Sequence, residues 1–243
     1  MIRSLSLAII SLALVFPLLT PSQAASLRVA PVVLDLRAPT AASTIRIWND
    51  AQKPINVQIR VFRWLQRNGE DAYEQTNEVV ASPPITRLQP GRENLIRIVR
   101  TSKRPFDGEE SYRLVVDELP DPSRRQAGTV TLVVRHSIPV FFAHPDALRA
   151  EPSWTVEPRG NGIVVHVRNS GSRRLKVSNL SVSSGGAAVA SRKGLIGYVL
   201  RNSSASWFVP ATGPRGRLSG RSVTISADSE AGRFDATARL RDD

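Results

Sequence analysis

Side chains able to make or break covalent bonds are scarce in this chain of 243 residues: there is no Cys, and the three His lie at 136, 144 and 166. No two of these His stand at metal-ligand spacing, and the G-x-S-x-G, H-E-x-x-H and P-loop spacings are missing. His136 and His166 fall within strand patterns and His144 beside a proline, so each reads as a structural side chain. The carboxylate pairs Glu109-Glu110 and Asp242-Asp243 read as solvated groups, in a loop and at the terminus. The expectation is a protein that is not an enzyme and holds no metal or cofactor. What remains is non-covalent chemistry: burial of aliphatic side chains, pairing of strand edges, and guanidinium contacts.

One stretch concentrates that chemistry. Residues 129–142 read TVTLVVRHSIPVFF, a long strand with two apolar registers. One face carries Val130, Leu132, Val134, His136, Ile138, Val140 and Phe142; the other carries Thr129, Thr131, Val133, Arg135, Ser137, Pro139 and Phe141. Apolar residues on both faces predict a cover on each side, one of them a partner chain.

The segment ahead of the first strand reads as an export signal spanning 1–24. Arg3 gives a positive start, an apolar run follows from Leu5 to Leu19, and Ser22-Gln23-Ala24 supplies the small residues a signal peptidase needs. The run is short for a membrane span, which takes about 20 residues, and it contains Pro17. A periplasmic protein without membrane insertion is expected. With no thiols, hydrophobic packing must hold the fold. The net charge of +12 raises nucleic acid, anionic lipid or an acidic partner as binding classes. Export argues against nucleic acid, and the basic residues are scattered as singles and pairs with few interleaved aromatics, which suits a solvated basic surface.

From Leu27 onward the pattern is strands separated by turns. Pro31 interrupts Leu27–Leu36, so that strand should lie at a sheet edge or change partner there. About seven strands are predicted before residue 143, with Gln66–Tyr73 as a polar loop, and seven more beyond residue 151. The fold class expected is all-β, with two immunoglobulin-like β-sandwich domains over 25–143 and 151–243. A short stiff hinge, 144–150, joins them.

Within this layout the chain resembles the periplasmic chaperones of the chaperone-usher pathway, which assemble pili. The resemblance rests on Asn49 closing a strand, the Leu88-Gln-Pro-Gly91 turn before Ile96-Arg-Ile-Val99, the segment Ser111–Pro120, and Ile138-Pro-Val-Phe-Phe142 before His144-Pro145. It covers the first domain; the second matches only in length and pattern. Tyr112-Arg113, Glu118-Leu119-Pro120 and the short loop to Gly128 look most like the archaic, spore-coat-U-type branch.

The resemblance implies donor-strand complementation, in which the chaperone lends an edge strand to a pilus or fibre subunit that lacks one. The donor residues carried over are Val130, Leu132, Val134 and Ile138, with Val133 and the region of Phe141 facing the chaperone's own core. The subunit would then pass to an outer-membrane usher; whether the free protein hides its strand by self-association is left open by the sequence. In much of the family an Arg and a Lys in the cleft grip the subunit's C-terminal carboxylate. Here Pro139 stands at or beside the lysine position and 129–142 holds no Lys, so other cations must serve. Arg97, Arg113, Arg135 and Arg28 are the candidates, with Arg97 expected to be buried or paired because apolar residues flank it. The alternatives are a two-domain surface-fibre subunit or adhesin, and an exported polyanion-binding module.

Overall fold

Period-2 alternation, with β-branched residues turned inward and turn residues between the runs, builds this chain almost entirely from strands. The computed structural model describes residues 27–121, 132–212, 218 and 220–241. The expected signal segment, Val130 and Asp242-Asp243 lie outside these residues. The strands of the first half are β1 (Leu27–Ala30), β2 (Leu34–Arg37), β3 (Ala42–Asn49), β4 (Ile55–Arg67), β5 (Glu70–Gln75), β6 (Val79–Ser82), β7 (Ile85–Leu88), β8 (Glu93–Arg100), β9 (Glu109–Leu119) and β10 (Arg135–Ala143). Those of the second half are β11 (Pro152–Arg159), β12 (Gly162–Asn169), β13 (Leu175–Ser184), β14 (Ala187–Val199), β15 (Ser203–Pro210), β16 (Ser222–Ser229) and β17 (Gly232–Leu240).

Two sheets stack to form the first body. One runs β1-β3-β8-β6; the other runs β2-β10-β9-β4-β5, with β7 also pairing β4. The chain changes sheets between β1 and β2, at the proline whose missing N–H breaks the ladder. Ile45, Ile47, Ile96 and Ile98 of one sheet meet Val57, Leu114, Val116 and Val140 of the other in a shared core. The second body is a single sheet, β14-β13-β16-β17-β11-β12-β15, whose end strands meet through an Ala190–Ala211 bridge. It therefore wraps around its own core of Val156, Val165, Val177, Leu180 and Ile225.

Residues 66–73, expected as a loop, instead continue β4 and turn back as β5. Asn68 and Gly69 have φ of 54° and 85°, the left-handed pair that a tight two-residue hairpin demands. Polar composition hid a hairpin that the Asn-Gly dipeptide could have disclosed.

One device closes a strand in each body. The Asn49 Oδ1 accepts from the Ala51 N–H at 2.9 Å, while its Nδ2 donates to the Lys53 and Leu88 carbonyls at 2.8 and 3.1 Å. Asn169 repeats the pattern: its Oδ1 accepts from Gly171 N–H, and its Nδ2 donates to the carbonyls of Arg173 and Leu200. Both side chains are fully buried.

Candidate functional site: an open strand edge beside a cleft

Strand β10 pairs antiparallel with β9 along its whole length, Arg135 opposite Asp117 through Ala143 opposite Glu109. On its other side, among the described residues, it has a strand partner only from Val140 to Ala143, where β2 runs parallel to it. Arg135 to Pro139 therefore form an open edge. Before them, the Val134 carbonyl accepts from the Glu118 N–H at 2.9 Å, so the chain already runs beside β9 there.

That bond fixes which way the backbone groups point. Residues 134 and 118 are a hydrogen-bonded pair, so by antiparallel alternation the even residues of β10 bond to β9 and the odd ones point away. Val133, Arg135 and Ser137 thus turn both N–H and C=O to the open side, and Pro139 turns only a carbonyl. The absent donor of Pro139 costs the β9 ladder nothing, which explains why a proline is tolerated inside this strand.

Side-chain parity corrects the sequence reading. Ile138 is buried in the first body's own core at 2% exposure, with Val140 and Phe142, so it is unavailable to a partner. Val134 packs partly against the same core, whereas Leu132 is 87% exposed. Val133, expected to face the core, is half-exposed, and Phe141 is buried against the second body instead. A single face thus passes from sealed to open as β10 outruns the opposing sheet. The change comes near His136, whose Nε2 lies 2.8 Å from the Leu27 carbonyl at the start of β1.

The outward face of the β9 sheet carries a second set of groups. Across it, Pro139, Arg113 and Phe62 lie in one row, since Arg113 stands opposite Pro139 on one side and Phe62 on the other. The Arg113 guanidinium sits 3.7 Å over the Trp64 ring, and its buried Nε makes no hydrogen bond. The cation opposite Pro139 is therefore stacked and positioned but lacks a partner at Nε.

The other candidate arginines are placed differently. Arg135 donates to Asp117, which also accepts from Arg60 at 2.6 Å. Burial by itself would raise the Asp117 carboxyl, but Arg135 and Arg60 outweigh it and hold the group below the usual carboxylate range. Arg28 forks onto Asp50 at 2.8 and 3.1 Å and lies over Trp48. Arg97, expected to be buried or paired, is exposed on the outer face of the other sheet. Its neighbours Ile96 and Ile98 turn inward, and alternation turns Arg97 outward alongside the half-exposed Leu95.

Where the bodies meet, Trp64, Phe141 and Tyr198 form an aromatic triangle with centroids 5.5 to 5.8 Å apart, closed by Leu200. Gln66 spans the junction, donating to the Tyr198 carbonyl at 2.7 Å and accepting from the Leu200 N–H at 2.9 Å. Beside them Arg174, only 4% exposed, donates to Glu109 at 2.5 Å and to Asp35 and Glu230 at 2.8 Å. Its guanidinium lies 3.7 Å over Phe141. The Glu109-Glu110 pair is thus not solvated: both are buried at the start of β9, Glu109 on Arg174 and Glu110 on Arg100. Two adjacent acids at a strand start, with arginines elsewhere, carry no local signal for this pairing.

The open edge of β10 and the stacked Arg113 thus lie on one sheet of a chain built from two β bodies. Residues 26–149 match the family model described as pili and flagellar-assembly chaperone, PapD N-terminal domain, and the chain belongs to that family. It is 28% identical over 93 residues to the chaperone protein PapD of Escherichia coli, covering 37% of this chain and 38% of that protein. To FanE, another chaperone protein of Escherichia coli, it is 27% identical over 117 residues, covering 45% and 51%. The matches therefore span between about two fifths and about half of these curated relatives. Among solved structures, the chaperone–tip subunit complex CsuC–CsuE of the archaic Csu pili of Acinetobacter baumannii superposes with a TM-score of 0.67 at 24% identity, covering 90% of this chain and 100% of that one. The Escherichia coli chaperone DraB gives 0.58 at 23% identity, covering 90% and 98%. These neighbours establish the fold as two immunoglobulin-like domains.

Proposed function

We propose that this protein is an ATP-independent periplasmic chaperone that binds pilus or fibre subunits by donor-strand complementation and delivers them to an outer-membrane usher, within the archaic branch of the pathway. The observation that carries the reading is the open edge of β10, continued by the exposed Leu132. A subunit lacking its last strand exposes both a hydrophobic groove and unpaired backbone groups. The odd residues 133–139 supply backbone partners, and Leu132 and Val134, with Val130 ahead of them, supply aliphatic side chains. Each such side chain contributes about 1.5–3 kcal/mol when fully buried.

Arg113 is the residue we assign to the subunit's C-terminal carboxylate. Arg28 and Arg135 already hold carboxylates of their own chain, and Arg97 lies on the far sheet. Arg113 lies on the outward face of the same sheet as β10, opposite Pro139, and can offer a charge-assisted fork.

The test is co-expression with a cognate pilus subunit and purification of the complex from periplasm. Leu132→Asp is expected to abolish subunit recovery while the chaperone stays soluble, since an exposed side chain contributes nothing to its core. Arg113→Ala is expected to weaken the complex roughly tenfold or more, and Arg97→Ala to leave it unchanged. Undiminished recovery with Leu132→Asp would overturn the donor assignment.

A further inference from the structure

On the second body, away from β10, the tip of the β4–β5 hairpin leans over the outer face of the sheet. Here the β11, β12 and β15 ladders place Ser153, Arg168 and Ser204 in one row and Thr155, His166 and Ser206 in the next. Gly69 at the hairpin tip approaches so closely that an added Cβ would stand 3.2 Å from the Ser206 Oγ. Between tip and sheet lies a hollow of about 610 Å³, within the range of about 300–1,000 Å³ usual for small-molecule sites.

Its lining is unusual in two ways. First, the side chains are mostly serine and threonine hydroxyls and the amides of Gln66, Asn68 and Asn202, joined by the His166 imidazole, with no Phe, Tyr or Trp and no large exposed aliphatic, so it suits a ligand that is itself polar. Second, Arg168 and Arg241 both line it, both are exposed, and among the described residues neither pairs with a carboxylate. Among the described residues no Asp or Glu lines the hollow; the nearby Glu157 is held by the His166 Nε2 at 3.3 Å, and the His166 Nδ1 lies 2.8 Å from the Ser206 Oγ. The contrast is a second hollow, at the β5–β6 side of the first body, where Arg63, Arg104 and Arg201 face Glu74, Glu78, Asp107 and Glu110 and are neutralised within the molecule.

Two guanidiniums that pair with no carboxylate among the described residues, within a ring of hydroxyls and amides, fit an anion that also carries hydroxyls. We propose that this hollow is a binding site for a small anionic saccharide, a sugar acid or a sugar phosphate, separate from the subunit-binding edge. Its carboxylate or phosphate is held by Arg168 and Arg241, and its hydroxyls bond to Ser204, Ser206 and Asn68. Because Asn68 belongs to the first body and Arg168 to the second, an occupant bridges the two.

Calorimetric titration of the purified full chain with glucuronate, glucose 6-phosphate, glucose and inorganic phosphate tests this. Saturable binding of either sugar anion, at least roughly tenfold tighter than glucose and tenfold weaker in the Arg168→Gln/Arg241→Gln variant, is the expected result. An Arg192→Gln control, on exposed β14, should bind as wild type does. Phosphate binding as tightly as glucose 6-phosphate would remove the saccharide from the proposal and reduce the site to a bare oxyanion cradle. Absence of saturation with both sugar anions, or equal weakening by Arg192→Gln, overturns it. None of these outcomes depends on subunit binding.

Discussion

Asn49 and Asn169 each satisfy backbone groups that would otherwise be buried without partners, and each does so with an amide that has both donor and acceptor. Replacing either by Ala leaves those groups unpaired and is expected to cost about 1–3 kcal/mol, read as a lower urea midpoint. Asn→Asp is expected to fare little better, because a carboxylate cannot donate to the carbonyls. Asn49 is marked in the sequence by the family resemblance, whereas Asn169 precedes Ser-Gly as many turn residues do, and the structure makes the two equivalent. Arg97 teaches the converse. Apolar neighbours at i±1 in a strand imply the opposite face, so flanking hydrophobicity says nothing about burial, and the alternation already legible in Leu95–Val99 placed this arginine outside.

At the level of single elements, strands and their order were largely readable, because alternation, proline and glycine act locally. The exchange of partners at Pro31 followed from one missing N–H. What escaped was non-local: which of β10's faces is covered depends on where the opposing sheet ends, and that is decided by β1, more than a hundred residues away. Asp117 pins three strands together through Arg60 on β4 and Arg135 on β10. Its folded pKa is depressed, so its stabilisation is present above the unfolded value near pH 3.9 and is lost as pH falls through the folded value. Stability of the native chain should therefore exceed that of Asp117→Asn at neutral pH, and the gap should shrink below about pH 4. Parallel denaturation series across pH check this, and a gap that persists under strong acid would dissociate Asp117 from the effect.

For the whole molecule, the junction is the part that no local pattern announces. Burial pushes the Glu109 carboxyl up, with Arg174 and Arg173 pulling against it; burial also disfavours the charged Arg174, but Glu109, Asp35 and Glu230 prevail and hold its pKa above the ordinary value. Removing one partner strands the other in a dry setting. Arg174→Met is expected to destabilise by about 3–5 kcal/mol and to loosen the angle between the bodies. Pairing it with Glu109→Leu should recover much of the loss, which denaturation and small-angle scattering together would reveal. The open side of β10 has its own bearing on the molecule as a whole. With β2 sealing Val140 onward and Pro139 offering only an acceptor, the described part of the open border, 133–139, runs about 23 Å at the ordinary strand rise and ends at β2. That closed end works as a stop: a visiting strand can add rungs up to Pro139, and sliding further in that direction finds its place already taken by β2.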